Sequence, residues 1–133
     1  MDKKTILKAF NDQFEEFMTD IDVLFENNKD IKTSKTALLM LRKANPKMIC
    51  DVWYRHIYTK YATEINNGNI DYFLNKDYSS DLKKMDGDAS SKIMDSIDKI
   101  RQPLRELDET NIKKSIQYLK NLNELSNIYY NLV

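Results

Sequence analysis

Glycine occurs only at Gly68 and Gly87 in this chain of 133 residues, and proline only at Pro46 and Pro103. No other feature limits the fold so sharply. All-β and α/β folds spend glycine on tight turns and on loops that approach a ligand, because glycine alone reaches positive φ without strain. A chain this poor in glycine is left with helices and short connections.

The apolar residues carry the same message. Leu7, Phe10, Phe14, Phe17, Ile21 and Leu24 are separated by alternating steps of 3 and 4, which places them on one helical face. The pattern predicts a first helix over about residues 4–26, closed by the polar turn ENNKD. Thr33 or Ser34 caps a second helix, with Ala37, Leu38, Leu41 and Ala44 on one face. Asn45 ends that helix and caps the third, where Pro46 suits the first helical position because its missing N–H has no partner there anyway. Gly68 supplies the left-handed stop. Asp71 to Asn75 reads as one short helical turn that plants Tyr72, Phe73 and Leu74 in the core, and KKMDGDASS as a loop. A further helix begins near Ser90 with Ile93, Ile97 and Ile100, and Pro103 kinks or restarts it. DETN caps the last helix, whose stripe is Ile112, Ile116, Leu119, Leu122, Leu125, Tyr129 and Leu132. The expected fold is all-α: a compact bundle of five or six helices, residues 1–133 forming a single domain, around a central amphipathic helix over about 46–67.

The stretch PKMICDVWYRHIYTKY holds the only cysteine, tryptophan and histidine. At about 100° per residue, Cys50, Trp53, Tyr54, Ile57, Tyr61 and Ile65 share one half of a helical wheel. An apolar arc about 180° wide is broader than one neighbouring helix requires, so this helix is expected at the centre. Cys50 reads as a small buried hydrophobe, and His56 as a boundary residue too far around the helix to activate it. Asp51 and Arg55, four apart, read as a surface ion pair.

Formal net charge is zero but uneven: −3 over residues 1–32, +5 over 33–62, −3 over 63–91 and +1 over 92–133. A basic middle between acidic flanks suits helix pairing within the chain or self-association. It also offers one corner, where the second helix meets the third, to an anion or an acidic partner. The residues there are Arg42, Lys43, Lys47, Arg55 and Tyr58. Tyr58 is the expected exposed aromatic, able to stack a base beside phosphate-binding cations.

Reactive chemistry is hard to assemble from this inventory. One cysteine makes no internal disulfide and one histidine no His-pair zinc motif. Two isolated glycines cannot build a phosphate loop. DGDASSKIMDSI, residues 86–97, imitates a calcium loop but has Ser91 where the sharp turn needs glycine and Ile97 where a bidentate glutamate belongs. The sequence therefore predicts no enzyme, no cofactor and no metal. The N-terminal string lacks the apolar region of a signal peptide, and no run reaches the about 18 apolar residues of a membrane span. An intracellular chain is expected.

FNDQFEEFMTDI, then TALLMLRKANPKMICDVWYRHIYTKYATEINNGNIDYFLNKDYSSDL, then SIDKIRQPLRELDETNIKKSIQYLKNLNELSNIYY together resemble a family of small uncharacterised all-helical proteins of nucleocytoplasmic large DNA viruses, the giant viruses. The likeness covers most of the chain and is sharpest at Asn45-Pro46, at Gly68 followed by Tyr72-Phe73-Leu74, and at Lys76-Asp77-Tyr78. Lysine outnumbers arginine 17 to 4, a skew that suits an AT-rich genome of that kind. The resemblance implies a protein made in the cytoplasm of the host cell and packaged in the virion or not; it implies no site residue. Three functions follow as expectations: a non-catalytic structural or protein-interaction component, such as a small virion or capsid-associated protein; an adaptor for a host protein; or a nucleic-acid-associated protein using the basic corner. No membrane partner is expected.

Overall fold

The computed structural model describes residues 2–69 and 88–132. They form α1 (Lys3–Leu24), α2 (Lys29–Ala44), α3 (Met48–Trp53), a π-helical turn (Tyr54–Tyr58), α4 (Thr59–Asn66), α5 (Asp88–Leu104) and α6 (Glu109–Asn131), with no strand among the described residues. The expected turn at Asp71–Asn75 lies outside the described residues, as does the part of the expected loop before Asp88. From Asp88 onward the chain is helical, so the calcium-like string runs into α5 rather than around an ion.

Caps fix where the helices begin. Asp2 accepts from the Thr5 amide and opens α1, and Asp108, within the expected cap region, accepts from the Asn111 amide and opens α6. The second helix starts earlier than the sequence suggests. Its cap is Asn28, which accepts from the amides of Asp30 and Ile31, rather than Thr33 or Ser34. The extra turn buries Ile31, and Ser34 is buried beside it. Asn45 and Pro46 form a turn ahead of α3 instead of its first residues: the Met48 amide donates to the Asn45 carbonyl at 3.1 Å. At Gly68 the expected stop is present, with φ at +78°. The Gly68 amide donates to Ile65 O and the Asn69 amide to Glu64 O, the paired bonds of a Schellman ending. Pro103 does not restart α5, which runs through it to Leu104. It stands in the last turn, lacks the N–H that would continue the ladder, and the helix ends one residue later.

The ion pairs and ring contacts set the helix directions. Along α1 and α6, Asp20 meets Tyr118, Gln13 meets Asn121 and Lys3 lies over Tyr129, so the two helices run antiparallel. Asp22 with Lys32 and Lys35, then Asp12 with Arg42, make α1 and α2 antiparallel as well. The third helical stretch sits among them: α3 packs against α1, α2, α5 and α6. Trp53 is its anchor. Its ring meets Phe10 and Phe14 edge-on, with centroids 6.4 and 6.0 Å away, and its indole N–H donates to Asn123 Oδ1 at 2.8 Å. One contiguous core results, from Ile6 on α1 to Tyr129 on α6.

The π-turn explains the broad apolar arc. Trp53, Ile57, Tyr61 and Ile65 are all buried, yet they recur every fourth residue. In a regular α-helix that spacing drifts by about 40° per step. The wider turn, closed by the Thr59 amide on the Tyr54 carbonyl, absorbs part of that drift and keeps the four side chains against the core.

Candidate functional site

Charge at the basic corner is partly used within the fold. Arg42 reaches across from α2 to α1, with Nη2 2.5 Å from Asp12 Oδ1 and Nη1 3.0 Å from Glu15 Oε2. Its side chain is only 23% exposed. Lys8 and then Arg42 hold the Asp12 carboxyl below the usual carboxylate range. One end further along, Lys32 and Lys35 converge on Asp22 and lower its carboxyl in the same way, Lys32 contributing most. Part of the uneven charge of the sequence is thus spent on α1–α2 pairs.

The remaining expected residues divide. Lys43 and Lys47 are exposed. Arg55 is 67% exposed, and its Nε lies 3.2 Å from Asp51 Oδ1, the ion pair anticipated from their spacing. Tyr58 is half-buried rather than exposed. Its ring stacks on Tyr54 at 5.2 Å, and Tyr54 stacks on Tyr130 at 4.4 Å. The Tyr130 hydroxyl donates to Asp51; burial, and then that carboxylate, push its pKa well above the ordinary phenol value. The aromatic part of the corner is therefore a three-ring column locked to the last helix rather than a free ring, while Lys43 and Lys47 stay exposed beside it. Cys50 is fully buried, and burial followed by the Asp51 charge pushes its thiol up to about 12. A thiol held so far from its thiolate is inert, in keeping with the expected packing role. His56 is half-buried.

A different surface combines shape with exposed apolar side chains. The C-terminal half of α1 and the N-terminal half of α6 enclose a groove of about 220 Å³, walled by Phe17, Asp20 and Ile21 on one side and by Lys114, Ser115 and Tyr118 on the other. Tyr118 holds the walls together: its hydroxyl donates to Asp20 Oδ2 at 2.5 Å and its ring stacks on Phe17 at 5.0 Å. At the lip of the groove Val23 is 70% and Leu24 44% exposed. Leu24, assigned to the core stripe from sequence, stands outside it because the stripe ends at Ile21. Val23 carried a signal that was legible: two residues beyond Ile21 it falls about 200° around the helix, an apolar residue on the solvent side.

No helix among the described residues is long and apolar enough to cross a membrane. No protein-family model matches the chain, and no curated protein and no solved structure does either.

Proposed function

We propose that this chain is a non-catalytic protein-interaction module, a small structural component of a large DNA virus acting in the host cytoplasm or the particle, and that it engages its partner through the α1–α6 groove. The observation that carries the reading is the pairing of a recess with exposed apolar residues at its edge: Val23 and Leu24 beside Phe17 and Tyr118. Apolar side chains scattered singly on a surface need no explanation, but contiguous ones beside a concavity mark contact sites. The viral context rests on the family resemblance alone.

The test is recovery of partners with tagged chain from infected cells, with and without nuclease, read by quantitative mass spectrometry. Virion proteins recovered regardless of nuclease, and lost with Val23→Glu and Leu24→Glu together, are the expected result. Partners lost with nuclease but kept by that variant would replace this reading with nucleic-acid association through Lys43, Lys47 and Arg55, the exposed cations of the basic corner. A single host protein would make the chain an adaptor.

A further inference from the structure

We infer that the end of the bundle where α1 begins and α2 stops binds nucleic acid, through phosphate contacts from Lys4, Lys43 and Lys47 and without reading base sequence. The inference goes beyond the groove and does not rest on it.

Folding redraws the charge map. By position in the chain, Lys3, Lys4 and Lys8 fall in the acidic first segment. In the fold they join the basic corner. The Asn11 side-chain amide donates to the Pro46 carbonyl at 3.0 Å, which sets the turn between α2 and α3 against the first half of α1. Lys8 Nζ, 2.8 Å from Asp12 Oδ2, and Arg42 Nη2, 2.5 Å from Asp12 Oδ1, meet on one carboxylate. Lys4 stands one turn before Lys8 on the same face of α1.

Several cations there already have partners. Asp12 and Glu15 hold Lys8 and Arg42, Asp51 holds Arg55, and the Lys3 ammonium lies 5.2 Å from the centre of the Tyr129 ring. Asp2, the cap of α1, accepts from the Thr5 amide. Lys4, Lys43 and Lys47 are exposed and form no ion pair among the described residues. Lys43 is in the last turn of α2, where a helix welcomes a cation. Lys4 has no such reason. It stands with Lys3 in the first turn of α1, which holds no acidic residue, and the helix dipole disfavours positive charge there.

The kind of cation selects the ligand. Guanidinium forks match carboxylates, and both arginines of the corner are engaged with the chain's own carboxylates. The three unpaired cations are all lysine, point charges on flexible stems that suit phosphate oxygens more than a fixed carboxylate plane. They are also spread out. From Lys4 to the level of Asn11, where the turn before α3 docks, is about 10 Å along α1. A single small anion does not span that length, whereas a nucleic-acid backbone repeats its charge along it. The tyrosine rings of the corner stack on one another, so the contact is to phosphates rather than to bases. Val23 lies about 28 Å from Lys4 along the same helix, so the groove and the lysines can be occupied at once and the chain can join a protein partner to nucleic acid.

Fluorescence anisotropy of a labelled DNA duplex of about 20 base pairs, titrated with the full chain to about 500 μM at low salt, tests this. Binding is expected for unrelated duplex sequences alike. Log K falls against log salt with a slope of about −3, from three phosphates at about −0.9 each. The variants are compared at about 50 mM salt, where charges about 28 Å apart are screened from one another. Lys4→Gln, Lys43→Gln and Lys47→Gln together weaken binding about tenfold or more. Lys29→Gln, Lys113→Gln and Lys114→Gln together remove the same charge at the other end of the bundle and leave binding unchanged. Far-UV circular dichroism first establishes that both triple variants are folded; should the first not fold, Lys43→Gln with Lys47→Gln decides. Absence of binding at low salt overturns the inference. Equal weakening by both triple variants also overturns it, because the attraction would then follow net charge and not this corner. Binding of polyglutamate in preference to the duplex would identify an acidic protein as the partner and overturn it as well.

Discussion

Asn123 is buried in the last helix, in contact with the only tryptophan, at a position where the apolar stripe would have placed a hydrocarbon. Its Oδ1 satisfies the Trp53 indole N–H, and its Nδ2 has no hydrogen-bond partner among the described residues. Asn11 plays a similar part on α1: buried, it donates from Nδ2 to the Pro46 carbonyl at 3.0 Å and so ties the turn before α3 to α1. Neither residue was legible in the sequence. Stripe counting scores apolar side chains, and a buried amide differs from a surface one only through a partner about as far along the chain as another helix. Replacing Asn123 by alanine leaves the indole N–H unsatisfied in a dry site and opens a small cavity. We expect a loss of about 2–3 kcal/mol in urea unfolding. The same substitution in a Trp53→Phe background is expected to cost about 1 kcal/mol less, because the donor is already gone. Equal costs in both backgrounds would mean that packing, not the hydrogen bond, fixes Asn123.

At the scale of elements, helix identity was readable and helix ends less so. The stripe Phe10, Phe14, Phe17 and Ile21 is buried as its spacing required, and Ile6 and Met18 widen it. Its ends are less buried: Leu7 packs half-buried against the core, and Leu24 is exposed. The start of α2 was missed because Asn28, Thr33 and Ser34 are all competent caps, and burial of Ile31 decides between them. Charge between elements was legible as imbalance but not as geometry. The basic corner looked available, whereas Arg42 is shared between Asp12 and Glu15. This pairing has a pH signature. The Asp12 carboxyl is depressed in the folded chain, by Lys8 first and by Arg42 next. Its contribution is therefore present above the unfolded value of about 3.9 and is lost as pH falls through the folded value. Arg42→Met is expected to cost about 1 kcal/mol or less near pH 7, as partly exposed pairs do. The cost should shrink as the urea midpoint is measured at successively lower pH, through the depressed folded value of Asp12. A cost that stays constant with pH would assign Arg42 a packing role through its alkyl stem.

For the whole molecule, the all-α bundle followed from scarce glycine and 3–4 spacing, and the central position of the third helical stretch from its wide apolar arc. The π-turn did not follow, since a wheel drawn at uniform pitch cannot show a local change of pitch. That turn matters for how the chain holds together, because it keeps Trp53, Ile57, Tyr61 and Ile65 on one line through the core. Trp53 touches α1 through Phe10 and Phe14 and α6 through Asn123, so its environment depends on the first, third and last helices together. If these form one cooperative unit, tryptophan fluorescence and far-UV circular dichroism must report the same urea transition. We expect coincident midpoints and a slope of about 1–3 kcal/mol/M, the range of a small two-state domain. Fluorescence changing first, with helicity retained, would instead mean that the α1–α3–α6 contact around Trp53 opens while individual helices persist. The groove would then open with it, since Phe17 and Tyr118 span the same α1–α6 seam. Coincidence ties the shape of the groove to global folding, so that a surface change at Val23 or Leu24 alters binding without altering the transition.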